Sequence, residues 1–228
     1  MCFSAGASFG ISAALGVVGV VAITKARTIP QKLFASIPFI FSVQQATEGM
    51  LWLSFTNNGF QGQSVFTDVY LVFALMLWPI WIPLTIRLLE RDATHKKMLT
   101  IFVILGAIVS AWFAWVVFFN SAQAVATQHH IQYRLDFPPT VKYLIWPFNI
   151  FYFIATVVST LVSSVKRMKW LGIVCAIAYL FSLFFYSAFV ISVWCYFAAA
   201  LSIIVLWIVS GFKKQESSVY DRPRFLPT

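Results

Sequence analysis

Long apolar runs alternate with short polar breaks along almost the whole chain. Each run is about 20 residues, the length an α-helix needs to cross the hydrocarbon core of a bilayer. Read this way, the sequence predicts seven spans, at roughly 4–24, 33–55, 67–88, 98–119, 141–164, 170–188 and 190–211. Only "SAFVIS" separates the sixth from the seventh, so six spans with a re-entrant pair is the alternative reading. The helical pattern lapses in the connection from Asn120 to Pro139. There "HIQYRLDF" sets Ile131, Tyr133, Leu135 and Phe137 against His130, Gln132, Arg134 and Asp136. A period of two predicts an extended strand that lays one apolar edge over the bundle mouth. Pro138-Pro139 ends it before span five.

The expected fold is all-α. It is an integral membrane seven-helix bundle forming one domain (1–211), with a short extended external segment between helices 4 and 5. Residues 212–228 read as a polar, disordered cytoplasmic tail. No internal repeat is evident, which argues against a transporter built from duplicated halves. Composition strengthens the membrane reading. The 228 residues are 61% hydrophobic and 10% charged, with a mean hydropathy of +0.85, whereas a soluble domain carries about 25% charged residues. A net charge of +9 would suit nucleic acid only if the basic residues formed a patch, and they are scattered between the spans. Fourteen of the 16 basic residues fall in alternate connections and the tail, leaving Arg134 and Lys142 on the other side. By the positive-inside rule the N-terminus is external and the C-terminus cytoplasmic, as in a multi-pass protein of the bacterial inner membrane. No basic residue precedes the first span and no cleavage site follows it, so no signal peptide is predicted. Membrane lipid is the expected neighbour, nucleic acid is not, and no protein partner is indicated.

Against that background "QQATEGMLW" stands out. It lies in a stretch without Lys, Arg or Asp from Leu33 to Thr67, yet it holds Gln44, Gln45 and Glu48. Glu48 is the only acidic residue well inside a span. A charge at mid-helix costs roughly 2.5–3.5 kcal/mol on insertion scales, so it faces the bundle interior with a partner. At 100° per residue, Gln44, Gln45, Glu48 and Trp52 share a face, and Glu48 lies roughly 10 Å below the external end of its span. Ser192 and Cys195, one turn apart in the last span, reach a similar depth. Cys2, His129 and His130 are external as well. Cys175 belongs to the cytoplasmic half, and His95 to a basic cytoplasmic turn.

Cys, His and Glu are the side chains that bind zinc, copper or iron. The sequence therefore points to a transition-metal pocket at the external face, with Cys2, Glu48, His130 and Cys195 as candidate ligands and His129 as an alternative. Gln44, Gln45, Trp52, Ser192 and Tyr133 would surround and orient them. Such a site could support redox or hydrolytic chemistry on a membrane-soluble substrate. Other readings use the same residues. Glu48 could pair with Gln and a hydroxyl purely for helix packing. Cys2 and Cys195 could form a disulfide in a non-catalytic subunit or receptor that binds an organic ligand or lipid. Glu48 could drive proton-coupled transport. With no Walker motif, GxGxxG unit or HExxH helix, no nucleotide cofactor is expected. "LWPIWIP", with Pro79 and Pro83 one turn apart, predicts kinks. Trp78, Trp81, Trp112, Trp115, Trp146 and Trp194 read as packing or belt residues.

Four motifs occur in order: "MCFSA", "QATEGMLW", "HIQY" and "WCYFAA". Together they resemble a bacterial family of small polytopic membrane proteins with no assigned activity. That family begins Met-Cys-Phe-Ser and carries Gln-x-x-Glu-Gly-x-x-Trp, His-Ile-x-Tyr and Trp-Cys-x-x-Ala-Ala. The resemblance covers nearly the whole chain. It implies that Cys2, Gln45, Glu48, His130 and Cys195 belong to one feature. It favours His130, while strand alternation turns His129 toward the apolar face, and both stay candidates. Rhodopsins and ceramidase-like hydrolases fit less well: no Lys in the last span could hold retinal, and no His lies within a span.

Overall fold

The computed structural model describes residues 4–56, 62–127, 130–165 and 167–220, with the backbone alone at 195–196, 198–200 and 213–220. Helix α1 (Ala5–Lys25) begins where Ser4 Oγ accepts the Ala7 N–H. A capping box of Thr28 and Gln31 starts α2 (Ile29–Ala35), and α3 (Ile37–Thr56) follows a break at Ser36. The break has a cause in Pro38, which has no N–H to return to the Phe34 carbonyl. Next, α4 (Gln63–Leu71) runs through a π-helical segment (Val72–Leu77) into α5 (Trp78–Leu89), and α6 (Ala93–Phe119) returns. Strands β1 (Ala122–Thr127) and β2 (His130–Leu135) pair antiparallel, with Ala124 opposite Tyr133 and Ala126 opposite Ile131. A 3-10 segment (Pro139–Leu144) leads into α7 (Ile145–Phe153), a second π segment (Ile154–Val158) and α8 (Ser159–Val162). Then come α9 (Met168–Phe185), a 3-10 turn (Ser187–Phe189), α10 (Val190–Tyr196) and α11 (Ala198–Tyr220).

Five helical stretches among the described residues are long and apolar enough to cross a membrane: Ala5–Lys25, Gln63–Leu89, Ala93–Phe119, Pro139–Val162 and Met168–Phe185. The second and seventh expected spans are the two that differ. Gln44, Gln45 and Glu48 lower the hydropathy of α3, and the last span is split at Phe197, leaving a shorter apolar stretch, Leu201–Phe212. Several helices begin earlier than the apolar pattern suggests. The polar turn from Ala93 is helical because the Asp92 carboxylate accepts the His95 N–H at 2.8 Å. Helix α11 runs to Tyr220, into the segment expected as a tail, and residues 221–228 lie outside the described ones. The expected strand is present as β2, with Ile131 and Tyr133 buried and Arg134 exposed. Its partner β1 has a small-residue sequence, AQAVAT, with no apolar alternation to announce it.

Small residues set the helix contacts. Helices α1 and α3 run antiparallel, and Ser12 and Ser42 exchange hydroxyl-to-carbonyl bonds at 2.8 and 2.7 Å. A Cβ on Gly19 would sit 2.6 Å from the Phe39 nitrogen, so the two backbones touch there. At the other end of the seam the Phe9 ring lies against Gly49. In α5, Pro83 has no N–H for the Pro79 carbonyl. That carbonyl points at α6, where a Cβ on Gly106 would be 1.8 Å from its oxygen. The π segment before α5 is braced from two sides: Tyr152 Oη donates to the Ala74 carbonyl and Ser110 Oγ to the Met76 carbonyl, each at 2.6 Å.

The turns at the end remote from the strands carry most of the basic residues and one buried carboxylate. Glu90, which ends α5, is 4% exposed. Its carboxylate accepts the N–H groups of Arg91 (3.1 Å), Asp92 (3.3 Å) and Ser164 (2.9 Å), the Ser163 hydroxyl (3.2 Å) and the Ser164 hydroxyl. This ties the α5–α6 turn to the α8–α9 turn. Arg167 completes that end, donating to the Trp207 carbonyl at 2.8 Å with its guanidinium over the Trp207 ring. The outer faces are apolar: Ile101, Ile104 and Ile108 line one side of α6, and Phe184 and Phe185 stand out from α9.

Candidate functional site

Helix α3 presents Phe41, Gln44, Gln45, Glu48 and Trp52 to the interior and Phe39 and Val43 to the outside. Gln44, Gln45 and Glu48 have no solvent exposure, so the polar cluster is enclosed. Ser192, equally buried on α10, donates its hydroxyl to Glu48 Oε1 at 2.8 Å. Four residues earlier on α3, Gln44 Oε1 accepts Trp78 Nε1 at 2.8 Å, and the Trp78 ring stacks on Phe41 at 3.9 Å. Three elements distant in sequence, α3, α5 and α10, thus converge on one short stripe. Helix α1 packs on this part of α3, where the Phe9 ring lies against Gly49, and neighbouring Ser8 is buried. Ser8 Oγ and Trp52 Nε1 are both buried and have no hydrogen-bond partner among the described residues. Unsatisfied buried polar atoms are uncommon in native structures, and each asks for an explanation.

The ribbon of β1 and β2 approaches the same region. Gln63 at the start of α4 holds it by donating to the Ala124 carbonyl at 2.8 Å. Tyr133 stacks on Tyr70 with ring centroids 4.7 Å apart, and the Tyr70 hydroxyl reaches the Ile191 carbonyl at 3.5 Å. His130 packs its ring against Phe189 (4.9 Å) and Tyr186 (5.4 Å), at the turn into α10. His130 and Tyr133 therefore bear on the start of α10, next to the residue that contacts Glu48. Cys195 follows Ser192 by three residues in α10 and is described by its backbone alone, while Cys2 and His129 lie outside the described residues. Among the described residues no group of three or more His, Cys, Asp or Glu side chains converges.

The whole of this arrangement falls within one family model, which matches residues 1–219. The chain belongs to the DUF6629 family. It is a family of unknown function, so membership fixes no activity. No curated protein and no solved structure matches the chain.

Two further features of the molecule are not marked in the sequence. The first is the Glu90 clamp, since a Glu between a helix end and an Asp reads as an ordinary loop residue. The second is a cavity of about 110 Å³ on the far side of Trp78, lined in part by Ala74, Tyr152, Cys175, Tyr179 and Trp194. Trp78 and Trp194, expected as packing or belt residues, form its walls. The prolines of α5 and the polar Asn149 were the signals that could have found it. One indole separates the cavity from Gln44, because Trp78 gives its ring to the former and its N–H to the latter.

Proposed function

We propose that this chain is a multi-pass membrane protein, external at its N-terminus and cytoplasmic at its C-terminus, that holds a transition-metal ion (zinc, copper or iron) beside Glu48. In this reading Glu48 is the carboxylate ligand, Cys195 and Cys2 supply thiolates, and His130 supplies an imidazole. Gln44, Gln45 and Ser192 hold the carboxylate in place. The supporting observation is the enclosed carboxylate, together with two buried polar atoms of the surrounding helices, Ser8 Oγ and Trp52 Nε1, that find no partner among the described residues. Burying a carboxylate requires that donors, a proton or a cation offset its lost hydration. Trp52 Nε1 donates only, so it calls for an acceptor such as an oxygen ligand on the metal. Cys195 lies one turn beyond Ser192, and residues three apart on a helix share a face.

Element analysis of protein purified without chelator tests this. About one metal ion per chain is expected, falling to background in Glu48→Gln and Cys195→Ser. Wild-type protein without stoichiometric metal overturns the proposal. A Cys2–Cys195 disulfide peptide in non-reducing mass spectrometry would then favour a receptor or subunit with an organic ligand.

A further inference from the structure

We propose that the cavity behind Trp78 binds a lipid-soluble molecule with a planar, carbonyl-bearing ring and a hydrocarbon tail, the chemistry of a quinone. This cavity is independent of Glu48 and of any metal. Leu171, Cys175 and Tyr179 line the cavity from α9 at successive four-residue steps, so the cavity is a slot about 12 Å long running beside the helix. Elongation suits a chain. The volume admits little more than a ring, since an engineered apolar cavity of about 150 Å³ stays dry and takes up benzene, so a long tail would extend from the open side of the slot.

The two ends of the slot differ. Toward the ribbon end, Trp194 meets Tyr179 at 4.9 Å and Tyr152 at 5.6 Å, forming an aromatic wall against which a flat ring can stack. Phe153 touches Tyr179 at 5.0 Å, which sets Tyr179 about one turn from Asn149 on α7. The remote end is made by aliphatic groups of Ile37, Ile82 and Leu171.

Hydrogen-bonding capacity is distributed in the same way. Tyr152 Oη is committed to Ala74, Thr156 Oγ1 to Tyr152 and Thr160 Oγ1 to Val157, all at 2.6–2.8 Å. The Asn149 amide and the Tyr179 hydroxyl make no hydrogen bond to any described residue, and both residues line the cavity. An amide NH2 and a phenolic O–H are donors, so they match ring carbonyls. The walls are also built to stay apart. A π turn inserts a residue into a helix and is frequently found at functional sites. Both π segments contribute to the lining, through Ala74 and Thr156, and the Tyr152–Ala74 bond ties the first of them to the end of α7, just ahead of the second.

The test uses the intrinsic fluorescence of Trp78 and Trp194. Detergent-solubilised full-length protein is titrated with decylubiquinone and, separately, with decylbenzene, which has the same chain and no oxygen. Saturable quenching at about one quinone per chain is expected. Tyr179→Phe and Asn149→Leu should each weaken it by about tenfold, the loss of one hydrogen bond. Cys175→Phe, which fills the slot, should abolish it. The Tyr179→Phe change removes a single oxygen, so it remains informative if the filled variant does not fold. Absence of saturable quenching overturns the proposal. So does affinity unchanged in both Tyr179→Phe and Asn149→Leu, or equally tight displacement of the quinone by decylbenzene, which would make the cavity a plain hydrocarbon slot.

Discussion

Replacing Glu90 by Gln tests the clamp between the two turns. The substitution keeps the shape and one acceptor oxygen while removing the charge. Burial on its own would raise the pKa of this carboxyl. Donation from the Ser164 hydroxyl and N–H, and from the Asp92 and Arg91 N–H groups, outweighs burial and holds it below the ordinary 4.5. In the variant an NH2 faces part of that donor set. The Ser163 and Ser164 hydroxyls can rotate to accept from it, but the Ser164 N–H, now at 2.9 Å from Oε2, cannot. Orphaning a buried donor costs about 1–3 kcal/mol, and bonds to a charged acceptor are the stronger kind, so a loss of about 2–3 kcal/mol is expected. For a chain of this size that lowers Tm by roughly 4–10 °C. The sign of the pH dependence follows from the depressed pKa. The wild-type carboxylate contributes its full stability above about 4.5 and loses it as pH falls through the lower folded value. Thermal unfolding in detergent, from neutral pH down to about pH 3, should show the gap between wild type and variant closing on acidification. Equal Tm values at neutral pH, or a gap that stays constant with pH, would refute the reasoning.

Gly106→Ala places a Cβ 1.8 Å from the Pro79 oxygen, forcing α5 and α6 apart; overpacking of this kind costs about 1–3 kcal/mol, measurable as a lower Tm, and Gly106→Val should be worse. Tyr152→Phe leaves the Ala74 carbonyl without the hydroxyl that serves it at 2.6 Å, for a loss of about 1–3 kcal/mol in the same assay. Ser192→Ala removes the donor 2.8 Å from Glu48 and should destabilise by a similar amount, with Ser192→Thr recovering most of it.

Hydropathy located the long helices because about 20 apolar residues leave few alternatives to a spanning helix. It underestimated their length wherever a polar turn is capped, as at Asp92 and Ala93. The Glu48 stripe was legible for a related reason: a 3.6-residue period puts Gln44, Gln45, Glu48 and Trp52 together whatever surrounds them. Ser192 was found by matching depth along two helices. Tyr152 and Ser110 were not, because their roles depend on which carbonyls the π segments release, and no local pattern records that. Glu90 escaped notice for the opposite reason: the partners that make it a clamp, Ser163 and Ser164, lie more than 70 positions away, in a turn of ordinary composition.

The seam between α1 and α3 bears on how such a chain enters a bilayer. Helix α3 is not among the stretches that are apolar enough by themselves, and a carboxylate at its centre is costly to insert. Helix α1, synthesised just ahead of it, is strongly apolar and presents the serines and glycines that fit α3 face to face. The contacts lie only about 30 residues apart along the chain. They can therefore form while the rest of the protein is still being made. On the proposed membrane reading, the polar helix would go in as half of a hairpin, with its carboxylate turned away from lipid from the start. A disruption of the seam, such as Gly19→Leu, should accordingly appear as failed insertion during biogenesis before it appears as a loss of stability.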